Sequence, residues 1–464
     1  MNKYKKLVGN SFIFAIGNLG SKLMQFIMVP LYSYTLTTTE YGKVDLLTTI
    51  ISLVVPIISC DIFDAVFRFA LDKTDDHEKT FNTGLAYIIF VSCFSIPFAL
   101  ILQHFIRNYP IAQADLVLIA TMFFSLISNY ARAIGKIRQF AVGGIINSLV
   151  MGGLNFVTLL YLHWHMTGYL LSMSGGMICA CFYFLFSCGL LHQVHLRQFS
   201  HAHFITLVRY SLPLVPNLLA WWLNSASDRL FILYFIGISA NGIYAMASKI
   251  PNILSTLMSI FLQSWQISVV QEFSSPEGKE FITKVFRVFV TVLFMVAIAL
   301  VMLIKPLFKI LVSPAYYIGW QVAPLLIFSI LYSNISGFIG TIYTATKQTV
   351  PIMYTTVVGA IVNVILSFSL VPILKLNGAA LANILSFMVV SALRARDILK
   401  QGKIVINWRN LLILNLALIL SILPNYLFNS WLVPLIVGSL ILLWILIKGN
   451  GLNDLRETVR QRLR

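Results

Sequence analysis

The chain has 464 residues, of which 58% are hydrophobic and only 11% charged, and it carries a net charge of +17. A soluble domain carries roughly 25% charged residues, so a soluble globular protein is excluded. The positive balance fits basic loops flanking membrane spans and does not call for a nucleic-acid partner.

In chain order, about fourteen apolar runs are long enough to cross roughly 30 Å of hydrocarbon as helices. Their centres lie near Ile16, Val54, Ile89, Met122, Leu149, Met177, Leu219, Leu254, Phe294, Ile330, Val358, Met388, Leu416 and Leu440. Helices are expected because lipid cannot satisfy backbone polar groups. The fold class is therefore an all-α polytopic membrane protein. The start "MNKYKK" is basic, but its apolar run continues to about Thr35 and no cleavage site follows, so a signal peptide is not expected. The linkers are short, which places the working surface among the helices. The five cysteines, Cys60, Cys93, Cys179, Cys181 and Cys188, lie in apolar stretches and read as small packing residues, with neither a disulfide framework nor a zinc pattern.

Basic residues alternate between loops. One set holds Arg68, Lys73, Lys79, Arg132, Lys136, Arg138, Arg197, Arg209, Lys279, Lys284, Arg287, Lys347, Arg394, Arg396, Lys400, Lys403 and Arg409, and both tails are basic. The opposite loops hold scattered cases such as Lys43, Arg107, Lys305, Lys309 and Lys375. The positive-inside rule then puts both termini in the cytoplasm and makes the span count even.

Internal similarity suggests two lobes. "TTTEYGKVDLLTTI" matches "ISANGIYAMASKI", aligning Gly42 with Gly242; "LHWHMTGYLLSM" matches "ILKLNGAALANI", aligning Gly168 with Gly378; Lys136 aligns with Lys347. The offsets of about 200 to 211 residues equal six spans, so the repeat is parallel. The expected organisation is an N-terminal lobe (1–200, spans 1–6), a C-terminal lobe (201–400, spans 7–12), and two extra spans with a basic tail (401–464). Two parallel six-helix lobes suggest alternating access around a central cavity.

Charged residues within spans are functional candidates by default. Lys22 lies in "AIGNLGSKLMQF" beside Asn18 and Gln25, a polar face that lipid disfavours. Asp61, Asp64 and Arg68 fall at i, i+3 and i+7, on one expected helix face, as an inner gate or as a proton or sodium site. Asp228 and Arg229 stand in span 7 after Asn224, and Lys249 in span 8. Adjacent helix positions point about 100° apart, so Asp228 and Arg229 do not neutralise each other by adjacency. With the turn between spans 7 and 8 placed at Ser239–Asn241, Asp228 and Lys249 both lie roughly 15 Å from it, at 1.5 Å per residue. Lys249 is thus the expected partner of Asp228. Lys22, Arg229 and Lys249 would line a basic cavity suited to phosphate or diphosphate.

His192, His195, His201 and His203 gather in "HQVHLRQFSHAHF" without cysteines and with few acids, so no metal site is assigned there. Trp221 and Trp222 read as helix packing, with sugar stacking as the sharper alternative. Pro213, Pro216 and Pro251 can bend their helices.

The stretch "RYSLPLVPNLLAWWLNSASDRLFILYFIGISANGIYAMASKI" resembles the bacterial polysaccharide flippases of the multidrug/oligosaccharidyl-lipid/polysaccharide exporter superfamily. The resemblance rests on Ser211–Pro213, Asn224–Arg229 and Gly242–Tyr244, with "LTTTEYG" at Leu36–Gly42 similar to the family's span 1–2 connection. It implies a fourteen-helix fold with a V-shaped cavity and an oligosaccharide cargo joined through diphosphate to a polyprenol, usually undecaprenol. Related lipid II flippases carry basic residues in spans 1 and 8, comparable to Lys22 and Lys249, although Arg is common where Lys stands here.

The leading expectation is a flippase of the bacterial cytoplasmic membrane moving a lipid-linked oligosaccharide from the inner to the outer leaflet. No Walker-A motif is present, so coupling to a proton, a sodium ion or the membrane potential is expected, with no cofactor. Membrane lipid and polysaccharide polymerase or assembly proteins are the expected partners. A drug or cation antiporter of the same fold is the alternative, disfavoured by the basic centre. A membrane polymerase or acyltransferase would need a large outer loop or a convergent catalytic His.

Overall fold

The computed structural model describes residues 24, 26–71, 76–195, 198–272, 278–345, 348–402 and 404–448. Among them there are helices and turns but no strands. Every expected span centre from Val54 to Leu440 falls on a helix, while Ile16 lies outside the described residues. Nine described helices are long and apolar enough to cross a membrane. The longest of these contains two: its backbone leaves the helical region at Lys375, with φ 52° and ψ −130°.

Contacts divide the chain into two units, Met1–Trp222 and Leu223–Arg464. The first begins with α1 (residues 26–35), α2 (Thr38–Ile58) and α3 (Ile62–Ala70). It continues with α4 (His77–Phe105), α5 (Ile111–Ala133), α6 (Ile137–Asn155), α7 (His165–Ser187), α8 (His201–Ser211) and the start of α9 (Val215–Phe235). The close pairs are α6 with α7, α5 with α7, and α4 with α5.

Local chemistry sets several ends. Thr37 accepts the Glu40 amide at 3.2 Å, while Glu40 Oε2 accepts the Thr37 amide at 2.9 Å. This reciprocal capping box opens α2, which gives the "TTTEYG" stretch a structural role beyond its glycine. Asp76 caps α4 by accepting the Lys79 amide at 3.1 Å. The segment after α7 is tied back to α4 by Asn82, which is fully buried. Its Nδ2 donates to the Gln193 carbonyl at 2.7 Å, and its Oδ1 accepts the His195 amide at 2.7 Å. His203 Nε2 lies 2.9 Å from Thr80 Oγ1, so this histidine joins α8 to α4.

The second unit holds the rest of α9, then α10 (Ile238–Ala247), α11 (Pro251–Glu272), α12 (Gly278–Met302), α13 (Ile304–Leu311), α14 (Pro314–Tyr317) and α15 (Ala323–Ala345). The kinked α16 (Thr349–Lys400), α17 (Trp408–Leu427) and α18 (Leu432–Lys448) complete it. α15 packs on α16 and α11, and the last two helices pack on α12. At the α16 kink the backbone approaches so closely that a Cβ on Gly378 would lie 2.3 Å from the Leu370 carbonyl oxygen. Only glycine fits there without a backbone shift.

Arg394, expected in a basic loop, is instead buried among the helices of this unit at 2% exposure. Its Nη1 donates to the Ser336 carbonyl and hydroxyl at 2.9 and 3.0 Å, Nε to Thr355 Oγ1 and Nη2 to Thr356 Oγ1, both at 3.0 Å. The fork of the guanidinium therefore joins α15 to both halves of α16.

Candidate functional site

The second unit contains a buried polar chain built around Asp228. Gly237, with φ 120°, turns the chain between α9 and α10, a conformation that favours glycine. The hairpin brings Tyr244 back beside Asp228, and the Tyr244 hydroxyl donates to Asp228 Oδ2 at 2.5 Å. Asn383, on the second half of α16, donates Nδ2 to the same oxygen at 2.9 Å. Its Oδ1 accepts Nδ2 of Asn363, on the first half of α16, at 2.8 Å. Asn363 Oδ1 in turn accepts the Ser227 hydroxyl at 2.8 Å.

Asp228 is 5% exposed, and Ser227, Tyr244, Asn363 and Asn383 are buried with it. A carboxylate out of water needs a compensating charge or several donors. Here the donors are neutral: a phenol, an amide and the Arg229 backbone N–H, which reaches Oδ1 at 2.9 Å. The expected Asp228–Lys249 pair does not form. The reason is register. The turn falls at Gly237, ahead of the expected Ser239–Asn241, which moves the matching depth on the returning helix from Lys249 back to the turn that holds Tyr244 and Met246.

Lys249 lies instead where α10 gives way to α11, half-buried, its amide bonded to the Met246 carbonyl at 3.1 Å. Arg229 is also half-buried and lies within electrostatic reach of Tyr244. Lys22, Asn18 and Gln25 lie outside the described residues, as does the Asn224 side chain.

In the first unit, Asp64 and Arg68 share the exposed face of α3 as expected, but Asp61 does not join them. The chain breaks after Ile58, and Cys60 and Asp61 both take left-handed conformations before α3 begins. Asp61 is buried, whereas Asp64 and Arg68 are exposed. The expected i, i+3, i+7 geometry needs an unbroken helix, and this helix starts only at Ile62. Trp222 reads as packing: its indole N–H reaches the Thr49 carbonyl at 3.1 Å and the Ser52 hydroxyl at 3.0 Å.

Sequence reasoning missed Tyr244, Asn363, Asn383 and Ser227 as partners of Asp228. Tyr244 and Asn383 both stand in stretches that the internal similarity picks out, "ISANGIYAMASKI" and "ILKLNGAALANI". Polar residues beside those aligned glycines were the available signal.

Membrane spans with ionisable groups buried among them define a polytopic integral membrane protein in which those groups are the functional candidates. The solved structures agree. The chain is similar to the lipid II flippase MurJ in its inward closed conformation, with 13% identity and a TM-score of 0.68, over 98% of this chain and 100% of that one. An inward-facing multidrug resistance MATE family transporter of the MOP superfamily also gives a TM-score of 0.68, with 11% identity, over 84% of this chain and 99% of that one. The fold is thus shared with these two solved proteins. Residues 7–267, more than half of the chain, match the polysaccharide biosynthesis protein family, and the chain belongs to that family. Protein 1 of the Lsg locus of Haemophilus influenzae is 23% identical over 288 residues. That match covers 58% of this chain and 66% of the relative, just under two thirds of its length.

Proposed function

We propose that this protein is a flippase that carries a polyprenyl-diphosphate-linked oligosaccharide from the inner to the outer leaflet of the bacterial cytoplasmic membrane by alternating access. The observation that supports this reading best is the conjunction of polysaccharide-family membership with similarity to a lipid II flippase along nearly the whole chain. The cargo has two chemistries to satisfy. Its diphosphate needs cations, which Lys22, Arg229 and Lys249 would supply, while its prenyl tail remains in lipid. Lys offers a point charge rather than the bidentate fork of Arg, so the grip at Lys22 and Lys249 is electrostatic more than directional.

Transport against a gradient needs coupling, and a proton or sodium ion is the proposed source. Asp228 is the residue in the second unit best suited to it. Its charge is buried and met by neutral donors, so gain or loss of a cation there would change the hydrogen bonding of α9, α10 and both halves of α16 together. Asn18, Gln25 and Asn224 would form the polar lining for the sugars. Both termini would face the cytoplasm, beside polysaccharide polymerase or assembly proteins. The function is transport rather than catalysis.

The test is reconstitution in liposomes with a polyprenyl-diphosphate sugar. Wild type should translocate it, and Lys22→Ala with Lys249→Ala together should reduce the rate at least tenfold. Undiminished translocation in the double variant would refute the cationic grip. The MATE-like similarity makes drug–cation antiport the competing reading. Export of fluorescent cations that is lost in Asp228→Ala, with no lipid translocation, would establish that reading instead.

A further inference from the structure

The break between α2 and α3 contains a charge that the cargo mechanism does not use. Cys60 and Asp61 both have φ 49°, two consecutive left-handed residues with side chains. Left-handed backbone is strained for residues with side chains, so something must hold the break in place. The Asp61 amide reaches back to the Pro56 carbonyl at 3.1 Å and to the Ser59 hydroxyl at 3.2 Å. The Ile58 carbonyl, freed by the break, accepts the Tyr87 hydroxyl at 2.9 Å. The backbone is thus tied down, but the acid is not. Asp61 is 7% exposed, its Oδ2 is enclosed, and that oxygen accepts no hydrogen bond. As the first residue before α3, it does not cap the helix with its side chain.

We propose that Asp61 is a small-cation site, holding an exchangeable proton or monovalent metal ion at the interrupted helix. A buried carboxylate with an unmet oxygen is strongly disfavoured if ionised and alone, and a bound cation removes that penalty. Interrupted membrane helices are where irregular backbone and carboxylates coordinate such ions. The surrounding charges leave the position open. On α3 itself, Asp64 adds a second negative charge at the exposed surface. From α4, Tyr87 presents its hydroxyl to the Ile58 carbonyl and lies 3.4 Å from Cys60 Sγ. From α5, Arg132 stacks 4.0 Å from the Phe67 ring centroid, bonds Asn129, and acts on Asp64. From α8, His203 and Tyr210 pack on Phe69, at the far end of α3. None of these forms an ion pair with Asp61 among the described residues.

The assignment depends on the first unit alone and not on the cargo proposed above. Infrared difference spectra of the purified full chain test it directly, at neutral pH, in sodium and in N-methylglucamine buffers. A carboxylic-acid carbonyl band that is present in wild type and lost in Asp61→Asn identifies a proton. A carboxylate band that shifts with sodium in wild type but not in Asp61→Asn identifies a metal ion. Asp64→Asn, which removes only the neighbouring negative charge, should weaken either signal without abolishing it. If Asp61→Asn does not fold, Asp61→Glu in aspartate-labelled protein, which keeps the acid but removes its label, should abolish the isotope shift of the band. An Asp61 that is ionised at neutral pH and insensitive to sodium overturns the proposal.

Discussion

Removing the Tyr244 hydroxyl isolates the strongest contact of the buried chain in the second unit. Tyr244→Phe keeps the ring, which is almost wholly enclosed, and deletes the donor 2.5 Å from Asp228 Oδ2. A hydrogen bond to a charged group is worth about 1.5–3 kcal/mol, against roughly 1 for a neutral pair. The Asn383 amide remains on the same oxygen, so the loss should be near the middle of that range. We expect Tyr244→Phe to destabilise the second unit by about 2 kcal/mol, roughly a thirtyfold fall in the folded-to-unfolded ratio. In an Asp228→Asn background the same change should cost only about 1 kcal/mol, because the acceptor is then neutral. The double-mutant cycle should therefore return a coupling of about 1 kcal/mol. Reversible unfolding in mixed detergent micelles, followed by circular dichroism, measures all four corners. A Tyr244→Phe cost below about 0.5 kcal/mol, or strict additivity with Asp228→Asn, would refute a charged Asp228 held by this phenol.

Three further outcomes follow from the packing. Asn82→Ala removes the bonds to Gln193 and His195, so protease cleavage in the segment between α7 and α8 should accelerate about tenfold, for a loss near 1.4 kcal/mol; an unchanged cleavage rate would show that the segment is held elsewhere. Gly378→Ala should destabilise by about 1–3 kcal/mol or more because its Cβ meets the Leu370 backbone, whereas Gly402→Ala, with φ 67° and no atom within 4 Å of a new Cβ, should cost about 1 kcal/mol; thermal melts that rank the two in the opposite order would contradict the close approach at the α16 kink. Arg394→Ala should cost about 2–4 kcal/mol, and Arg394→Lys should recover less than half of it, since one ammonium cannot reach Ser336, Thr355 and Thr356 with the geometry of a guanidinium; full rescue by Lys in the same melts would mean that charge alone matters there.

The capping box at Thr37 and Glu40 was visible as a T-x-x-E pattern, and its structural reading needs no partner from elsewhere in the chain. The Gly237 turn was visible in "FIGISANG" too, yet an error of a few residues in placing it was enough to exchange Tyr244 for Lys249 as the partner of Asp228. Helix depth arguments carry that sensitivity because each residue both advances and rotates the side chain. The Asp61 break was harder still. Pro56 signals a disturbance, but two left-handed residues in "SCDI" have no composition cue, and their conformation is held by contacts with Tyr87 and within the turn.

By itself, the sequence determined that the chain is a membrane protein of serial helices, and where in the chain those helices lie. Lipid leaves the backbone no partner but itself, so long apolar runs must become helices, and hydropathy alone locates them. The presence of charges inside the spans was equally plain. Only the tertiary structure decided what those charges meet. Asp228 is held by Asn383, which is 155 residues away, and Arg394 by Ser336, 58 residues away. Such partners are chosen by how helices pack and where each turn begins, and no local pattern specifies either. The same dependence separates buried Asp61 from exposed Asp64, although only two residues lie between them.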